Sequence, residues 1–143
     1  MDSAGRITFT TDVMVGFPGE TSEDFNLTCK ALETVGFLRA HVFRYSKREG
    51  TAAYRMEGQV PENVKKERER ELQSVVKKMC YNVKKSFEGM SLDVLVERNA
   101  ENGWEGYSSE YVPVAFAGGS GLLNEIVTVT GKTVKGGFLI GEK

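Results

Sequence analysis

Residues 10–21, TTDVMVGFPGET, carry the clearest structural signal in the first part of this sequence. Its first half is rich in β-branched residues and ends in an apolar run without alternation, which is typical of a strand covered on both faces in a parallel sheet. Gly16–Gly19 ends that strand, and Thr21 with Asp24 is close to the capping-box pattern that begins a helix. Gly36 follows as a natural C-terminal cap. The stretch therefore predicts a strand, a tight turn and a helix.

A second strand is predicted at residues 39–45, RAHVFRY, and it completes one βαβ unit. The two strands of such a unit need a larger sheet to join, because they must be covered on both faces. An unfinished sheet leaves strands exposed, so we expect two copies of the chain to self-associate through the exposed part of this incomplete sheet.

A long helix is predicted from Pro61 and Glu62 to Phe87. Its apolar positions step by four, three, four and four residues and form one stripe: Leu72, Val76, Met79, Val83 and Phe87. Residues 65–71 are almost wholly charged, which favours a solvated linker helix in that half. Residues 61–88 hold five acidic and eight basic side chains, so this segment is basic.

Short strands separated by glycine, asparagine or serine turns are predicted from Gly89 onward. The candidates are Ser91–Glu97, Trp104–Tyr107, Tyr111–Phe116, Glu125–Thr133 and Gly137–Ile140. Pro113 predicts an edge position for its strand, since proline lacks the amide hydrogen that a central strand donates. So many short strands in so few residues favour a small, closed or nearly closed antiparallel barrel.

The predicted fold class is therefore α+β, in three parts. Residues 1–60 hold the βαβ unit, residues 61–88 the long basic helix, and residues 89–143 the small, OB-like β-barrel. A chain of 143 residues has room for about one domain of ordinary size.

Charge and cysteine content exclude several classes of function. The chain has 19 basic and 20 acidic side chains and no apolar run long enough for a membrane helix, so we expect neither a DNA nor a membrane partner. Its two cysteines, Cys29 and Cys80, argue against a disulfide framework and favour the cytoplasm. They fall on or beside helical stripes and are interpreted as small apolar residues. We predict no metal ligands and no catalytic residue in this chain.

The turn Gly16-Phe17-Pro18-Gly19-Glu20 is the first candidate binding element. Its glycines allow close backbone approach, and it leads into a helix N-terminus, where free amides favour polar or anionic ligands. Ligands of open α/β sheets also bind at the carboxyl ends of the strands. The alternative is an ordinary strand-to-helix turn with a fixed proline.

A second candidate lies at residues 44–55, again at the carboxyl end of a strand. Arg44, Lys47 and Arg48 flank hydroxyl groups and a glycine there, a combination suited to a phosphate or carboxylate. The alternative is a polar loop that leads into the long helix. In the predicted barrel, Tyr107 and Tyr111 are candidates for stacking on bases, with barrel core as the alternative role.

Taken together, these motifs resemble the radical SAM methylthiotransferases. The resemblance rests on residues 10–21 (TTDVMVGFPGET) and 41–53 (HVFRYSKREGTAA), followed by 59–68 (QVPENVKKER). The last 55 or so residues, with Gly106-Tyr107 and Tyr111-Val112-Pro113-Val114, resemble more loosely the TRAM domain that ends those enzymes. The similarity runs from about Ile7 to the end of the sequence. The sequence of residues 45–51 is most similar to that of the family branch that acts on threonylcarbamoyladenosine in tRNA.

The resemblance implies that the first segment is the end of a TIM-like radical SAM barrel, and that tRNA is the partner. It places S-adenosylmethionine and [4Fe–4S] clusters in the parent family. Residues matching its cofactor-binding positions are Gly16, Pro18, Gly19, Glu20 and Tyr45. Residues expected to contact RNA are Arg44, Ser46, Lys47, Arg48, Lys65, Lys66, Tyr107 and Tyr111.

One departure from the family dominates the functional expectation. The family needs a CxxxCxxC motif for its catalytic cluster and three further cysteines for a second one, and neither set is in this sequence. We therefore expect a C-terminal fragment that is inactive alone and binds neither cofactor stably. The alternative is a stand-alone RNA-binding module in which the βαβ unit is only a scaffold.

Overall fold

The computed structural model describes residues 6–101 and 103–143. Within them lie two long helices, a short 3₁₀ helix and seven strands. In chain order the elements are β1 (Thr10–Val15), α1 (Ser22–Val35), β2 (Arg39–Arg44), the 3₁₀ helix (Ala52–Arg55), α2 (Glu62–Lys85), β3 (Ser91–Ala100), β4 (Gly103–Ser108), β5 (Pro113–Phe116), β6 (Ile126–Lys135) and β7 (Phe138–Glu142). The predicted α+β class is confirmed.

Contacts divide the chain into two compact units, and the dividing point lies inside α2. The first unit is Phe9–Cys80. The second is Tyr81–Lys143, joined by the described residues 6–8 at the beginning of the chain. Each unit is built around its own apolar core, so each is described by itself.

The first unit contains the predicted βαβ element. β1 and β2 pair in parallel, with Val13 opposite Val42, and α1 connects them. The capping box at the start of α1 is present, since Thr21 and Asp24 each bond the backbone amide of the other. Side chains from the sheet and both helices form the core: Val15, Phe25, Leu32, Leu72 and Met79. Cys29 and Cys80 pack against it as apolar residues, as predicted.

Within the described residues, the strands of this unit are covered on one face only. One face of the β1–β2 pair packs on the helices, whereas Asp12, Met14 and His41 on the other face are exposed. His41 Nδ1 lies 3.5 Å from Asp12 Oδ1, and its ring stacks on Phe43 at 5.4 Å. The reason is geometric, because two strands and two helices supply material for one face only.

The second unit contains a closed barrel with the strand order β3-β4-β5-β7-β6. Alternate residues in the first part of β3 point inward, as the alternating burial from Ser91 to Val96 shows. The core consists of aliphatic and aromatic side chains: Phe87, Leu92, Val94, Val96, Trp104, Val112, Val114, Phe116, Val127, Val129 and Leu139. The small β-barrel predicted from the spacing of short strands is therefore present.

Two details of the predicted barrel are wrong. The barrel is not wholly antiparallel, because β5 and β7 pair in parallel. A closed ring with an odd number of strands cannot alternate direction at every neighbour, so five strands require at least one parallel pair. The strand of Pro113 is also not an edge, because β5 pairs with both β4 and β7. Pro113 is tolerated as the first residue of β5, one position before the ladder with β7 begins at Val114.

Across the part of the chain that the structure describes, neither helix has a stretch long and apolar enough to cross a lipid bilayer.

Candidate functional site

The turn after β1, residues 16–20, is here called the glycine loop. Gly16 and Gly19 have φ angles of +74° and +87°, in the left-handed region that favours glycine. At Gly16 there is also no room for a side chain, because a Cβ would lie 2.4 Å from Cγ of Lys65. Gly19 N donates a hydrogen bond to Gly58 O at 2.9 Å. The loop is therefore fixed by backbone conformation and by close packing against α2.

Glu20 is turned back onto its own loop. Its Oε1 accepts hydrogen bonds from Gly16 N at 3.0 Å and from Arg68 Nη1 at 2.6 Å. Arg68 Nη1 also donates to the Glu20 carbonyl oxygen at 3.0 Å, and the Glu20 and Arg68 side chains are only 13% and 10% exposed. Within the described residues, Glu20 Oε2 accepts no hydrogen bond. One carboxylate oxygen is thus held by two donors while the other is open to a ligand that donates.

The N-terminus of α1 offers less to an anion than the sequence suggested. Asp24 accepts hydrogen bonds from the backbone N and the hydroxyl of Thr21, at 2.9 and 2.7 Å. These two bonds lower the pKa of the Asp24 carboxyl from its usual 3.8. Glu23 adds a second acid to the same first turn. Because the helix already carries negative charge at this end, a neutral or cationic ligand fits better than an anion.

Tyr45 follows β2 and lies beside the glycine loop. Its backbone N donates to Val15 O at 2.8 Å, and its ring meets the ring of Phe17 edge-on at 5.4 Å. Lys65 Nζ donates to the Tyr45 carbonyl oxygen at 3.1 Å and lies 5.2 Å from the ring centroid. The Tyr45 hydroxyl is buried without a hydrogen-bond partner among the described residues. All five residues that the resemblance assigns to the cofactor are therefore brought together at the carboxyl ends of β1 and β2.

A polar cavity of about 560 Å³ lies next to Tyr45. Its lining combines basic, acidic and hydroxyl side chains from β2, the following loop and α2: Arg44, Ser46, Lys47, Glu62, Lys65 and Glu69, with Phe43 and Tyr45. Arg44 pairs with Glu62 and with Glu69, the latter at 3.0 Å, and Lys65 lies 3.6 Å from Glu62. Positive charge in this cavity is therefore largely balanced by acids.

The expected RNA-contacting residues are not gathered in one place. Four line this cavity, namely Arg44, Ser46, Lys47 and Lys65, whereas Arg48 and Lys66 are exposed outside its lining. Lys47 Nζ lies 4.7 Å from the Tyr54 ring, which belongs to a 3₁₀ helix that the sequence did not reveal. Lys65 is only 7% exposed, unlike the solvated lysine that was expected.

The expectation of a solvated first half of α2 is also wrong at Arg68, which is 8% exposed. Arg68 ends the motif at residues 59–68, but sequence reasoning assigned it no role in a binding site. A signal was present, because Lys65 and Arg68 continue the stripe of Leu72, Val76 and Met79 at spacings of three and four. Long basic side chains bury their aliphatic stems along such a stripe and leave the charged group to find a partner.

The remaining two candidates lie on the outside of the barrel in the second unit. The Tyr107 and Tyr111 rings are 6.3 Å apart, and Tyr111 is 73% exposed with a φ of +61°. By contrast, Trp104 is only 7% exposed and donates from Nε1 to Gly119 O at 2.8 Å. The tyrosines are available to a ligand, and the tryptophan is a core residue.

The cysteines do not form a metal centre. Within residues 6–101 and 103–143, no three His, Cys, Asp or Glu side chains are placed to hold a metal ion. Burial, followed by the charges of Glu71 and Glu33, raises the pKa of the Cys29 thiol from its usual 9.0. A raised thiol pKa opposes the thiolate form that metals bind.

Comparison with known proteins gives the same family as the motifs. No protein-family model matches the chain. It is 42% identical over 127 residues to a tRNA-2-methylthio-N6-dimethylallyladenosine synthase of Clostridium tetani, covering 87% of this chain and 28% of that protein. It is 39% identical over 138 residues to the threonylcarbamoyladenosine tRNA methylthiotransferase MtaB of Bacillus subtilis, covering 93% and 30%. The MtaB of Thermotoga maritima is 46% identical over 110 residues, covering 76% and 25%.

The chain spans less than a third of the length of these relatives. Some of these relatives are named for dimethylallyladenosine and others for threonylcarbamoyladenosine. The match therefore identifies the family that contains both kinds of enzyme and does not select one of them. The resemblance to a radical SAM methylthiotransferase is confirmed at that level.

Proposed function

Over the part that it spans, the chain belongs to the tRNA methylthiotransferase family, and on this premise we propose that it forms one wall of the cofactor site and the RNA-holding module of such an enzyme. The first unit is proposed as the end of a radical SAM barrel, and the second as a TRAM-like barrel. The observation that carries the proposal is the meeting of the glycine loop with Tyr45 at the carboxyl ends of two parallel strands.

The residues of the first unit fit S-adenosylmethionine. Among the described residues, Glu20 Oε2 accepts no hydrogen bond and the buried Tyr45 hydroxyl has no partner, so a ligand could donate to the first and pair with the second. The positive φ angles at Gly16 and Gly19 bring bare backbone to the edge of the sheet. When bound, S-adenosylmethionine supplies the methyl group and the source of radical chemistry that the family uses.

The residues present do not fit an iron–sulfur cluster. Such clusters are held by several cysteine thiolates, and this sequence has two cysteines, both in helices that pack on the apolar core. The proposed role of the chain therefore includes no cluster binding, and we expect it to be inactive without the remaining parts of the enzyme. With tRNA as its partner, the cytoplasm is the expected location.

For tRNA, the exposed basic residues are the proposed contacts in the first unit. Lys47, Arg48 and Lys66 are exposed, whereas Arg44 and Lys65 are partly neutralised by Glu62 and Glu69. In the second unit, the outward Tyr107 and Tyr111 rings are proposed to stack on unpaired bases. The alternative function, an RNA-binding module alone, is favoured by the same tyrosines but gives the glycine loop no ligand.

The test is nuclear magnetic resonance titration of the isotopically labelled chain with S-adenosylhomocysteine, a stable analogue of the cofactor. Weak binding is expected to shift the backbone amides of residues 16–20 and Tyr45, and Glu20→Gln is expected to reduce these shifts. Glu33→Gln, at an exposed site of α1, is the matched control and should leave them unchanged. Retained tRNA binding with no shifts at millimolar analogue would support the RNA-binding module and overturn the cofactor role.

A further inference from the structure

Two charged side chains on the first half of α2 are buried, although charged groups normally remain in water. Lys65 and Arg68 are three residues apart, so they face the same side of the helix. They are only 7% and 8% exposed, although a solvated helix would leave both in water at no cost. Burying a charge costs free energy unless it is paired and hydrogen-bonded, so the contacts made by these two groups must compensate.

Each of the two residues holds a different loop. Arg68 Nη1 contacts Glu20 Oε1 at 2.6 Å and the Glu20 carbonyl oxygen at 3.0 Å. Lys65 Nζ contacts the Tyr45 carbonyl oxygen at 3.1 Å, and its stem fills the space beside Gly16. One helical turn therefore reaches the end of β1 and the end of β2 together.

We propose that Lys65 and Arg68 form a clamp that positions the glycine loop and Tyr45 relative to each other. Arg68 is the positioning residue for Glu20, because its bond and that of Gly16 N occupy Oε1 and leave Oε2 as the open acceptor. Lys65 is the positioning residue for the backbone of Tyr45. The start of α2 is thus part of the binding site and not a linker. That these loops hold a cofactor rests on the proposed function, whereas the clamp itself rests on contacts within this chain.

The helix provides its own controls. Lys66 and Arg70 lie on the same helical turns as the clamp residues but are exposed. Substituting them changes the charge of α2 by the same amount without removing a contact to either loop. A difference between Arg68→Met and Arg70→Met therefore isolates the contact from the charge.

The experiment is amide hydrogen exchange of the full chain, read at Gly16. The Gly16 amide donates to Glu20 Oε1, so its protection reports whether that carboxylate is held in place. Arg68→Met is expected to speed its exchange about tenfold or more, as the loss of a charge-assisted hydrogen bond predicts, while Arg70→Met leaves it unchanged. Arg68→Lys should restore protection in part, because it keeps the charge but loses the guanidinium geometry.

Two further readouts separate the clamp from a general effect on folding. Glu20→Gln combined with Arg68→Met should speed Gly16 exchange no more than the larger of the two single effects, since both substitutions remove the same ion pair. In the titration with S-adenosylhomocysteine, Arg68→Met is expected to reduce the chemical-shift changes at residues 16–20, and Arg68→Lys is expected to restore them. If Arg68→Met does not fold, Arg68→Lys and Glu20→Gln give the same comparison.

The outcomes distinguish the two proposals. Gly16 exchange in Arg68→Met equal to that of the unsubstituted chain overturns the clamp, whatever the analogue does. Faster Gly16 exchange with no analogue binding to any variant supports the clamp and overturns the cofactor role. Faster exchange together with weaker analogue shifts supports both.

Discussion

Arg68 contacts Glu20 at 2.6 Å across 48 residues of chain, and both side chains are nearly buried. This ion pair joins the helix that follows the βαβ unit to the loop that follows its first strand. Glu20 Oε1 also accepts from Gly16 N, so a single carboxylate oxygen ties the two ends of the glycine loop to each other and to Arg68. These contacts within the chain preorganise the loop, which reduces the conformational cost of binding a ligand there.

Gly16→Ala is expected to destabilise the first unit by about 2 kcal/mol or more, because it combines left-handed strain with a clash against Lys65. Gly19→Ala is the control, since Gly19 has a similar φ angle but open space around its Cβ position. It should cost about 1 kcal/mol from strain alone. Denaturant unfolding measures both, and equal losses would contradict the packing role of Gly16.

Asp24 predicts a specific dependence of stability on pH. Its pKa is lowered in the folded chain by the two Thr21 hydrogen bonds, so the stabilisation is fully present above the unfolded value of 3.8. It is lost as the pH falls through the lower, folded pKa. Asp24→Asn should therefore flatten the stability curve in that acidic range. Unfolding curves from pH 2 to 6 on both chains test this, and parallel curves would contradict it.

Tyr45→Phe is expected to leave the melting temperature unchanged or to raise it. Among the described residues this hydroxyl is buried without a hydrogen-bond partner, and such a group costs about 1–3 kcal/mol relative to its removal. Tyr54→Phe, at a more exposed ring, is the control. The same Tyr45 variant should bind S-adenosylhomocysteine more weakly if the ligand supplies the missing partner. A lower melting temperature for Tyr45→Phe alone would show that the hydroxyl is already satisfied.

If the chain binds tRNA through exposed basic side chains, replacing one of them should weaken the salt-dependent part of tRNA binding. Lys66→Glu should weaken tRNA binding and reduce the slope of affinity against salt by about one unit for each phosphate contact that is lost. Lys30→Glu, on the exposed side of α1, makes the same charge change at a site with no proposed RNA contact. Filter binding at several salt concentrations distinguishes them. An equal effect at the two sites would indicate a general charge effect.

Tyr111→Ala should weaken tRNA binding by about 1–3 kcal/mol if its ring stacks on a base. The side chain is 73% exposed, so its removal should change the stability of the barrel little. Unchanged tRNA affinity in this variant would exclude Tyr111 from the RNA-binding surface.

The uncovered face of β1 and β2 is expected to drive self-association of this chain. Met14 is 41% exposed on that face, so Met14→Glu should shift the chain toward monomer in sedimentation velocity. Val35→Glu, at a 56% exposed site of α1, adds the same charge elsewhere and should not. A monomeric unsubstituted chain at high concentration would contradict the prediction.

Local sequence was sufficient for the elements themselves. The capping box at Thr21, the apolar stripe from Leu72 to Phe87 and the alternation of β3 each depend on residues a few positions apart. The same is true of the glycine loop, whose glycines are dictated by the turn they must make. Such features could be predicted because their physical cause lies within one or two turns of the chain.

Contacts between distant residues could not be predicted in this way. The parallel pairing of β5 with β7 follows from closing a ring of five strands. The sequence of one strand does not indicate how many strands the ring contains. Likewise, the charges of residues 65–71 predict a solvated helix, because the sequence does not show that the glycine loop lies beside them. In the folded chain the burial of Arg68 is favourable, because Glu20 of the glycine loop supplies the opposite charge.

The amino-acid sequence was enough to predict the βαβ unit, the long helix, the small barrel and the family, since these depend on local periodicity and on contiguous motifs. Which charges are buried, and which loops they contact, depends on the folded arrangement of distant segments. Lys65 and Arg68 find their partners in loops 20 and 48 residues away in sequence, because burial beside a carbonyl oxygen and a carboxylate, not local pattern, selects those contacts.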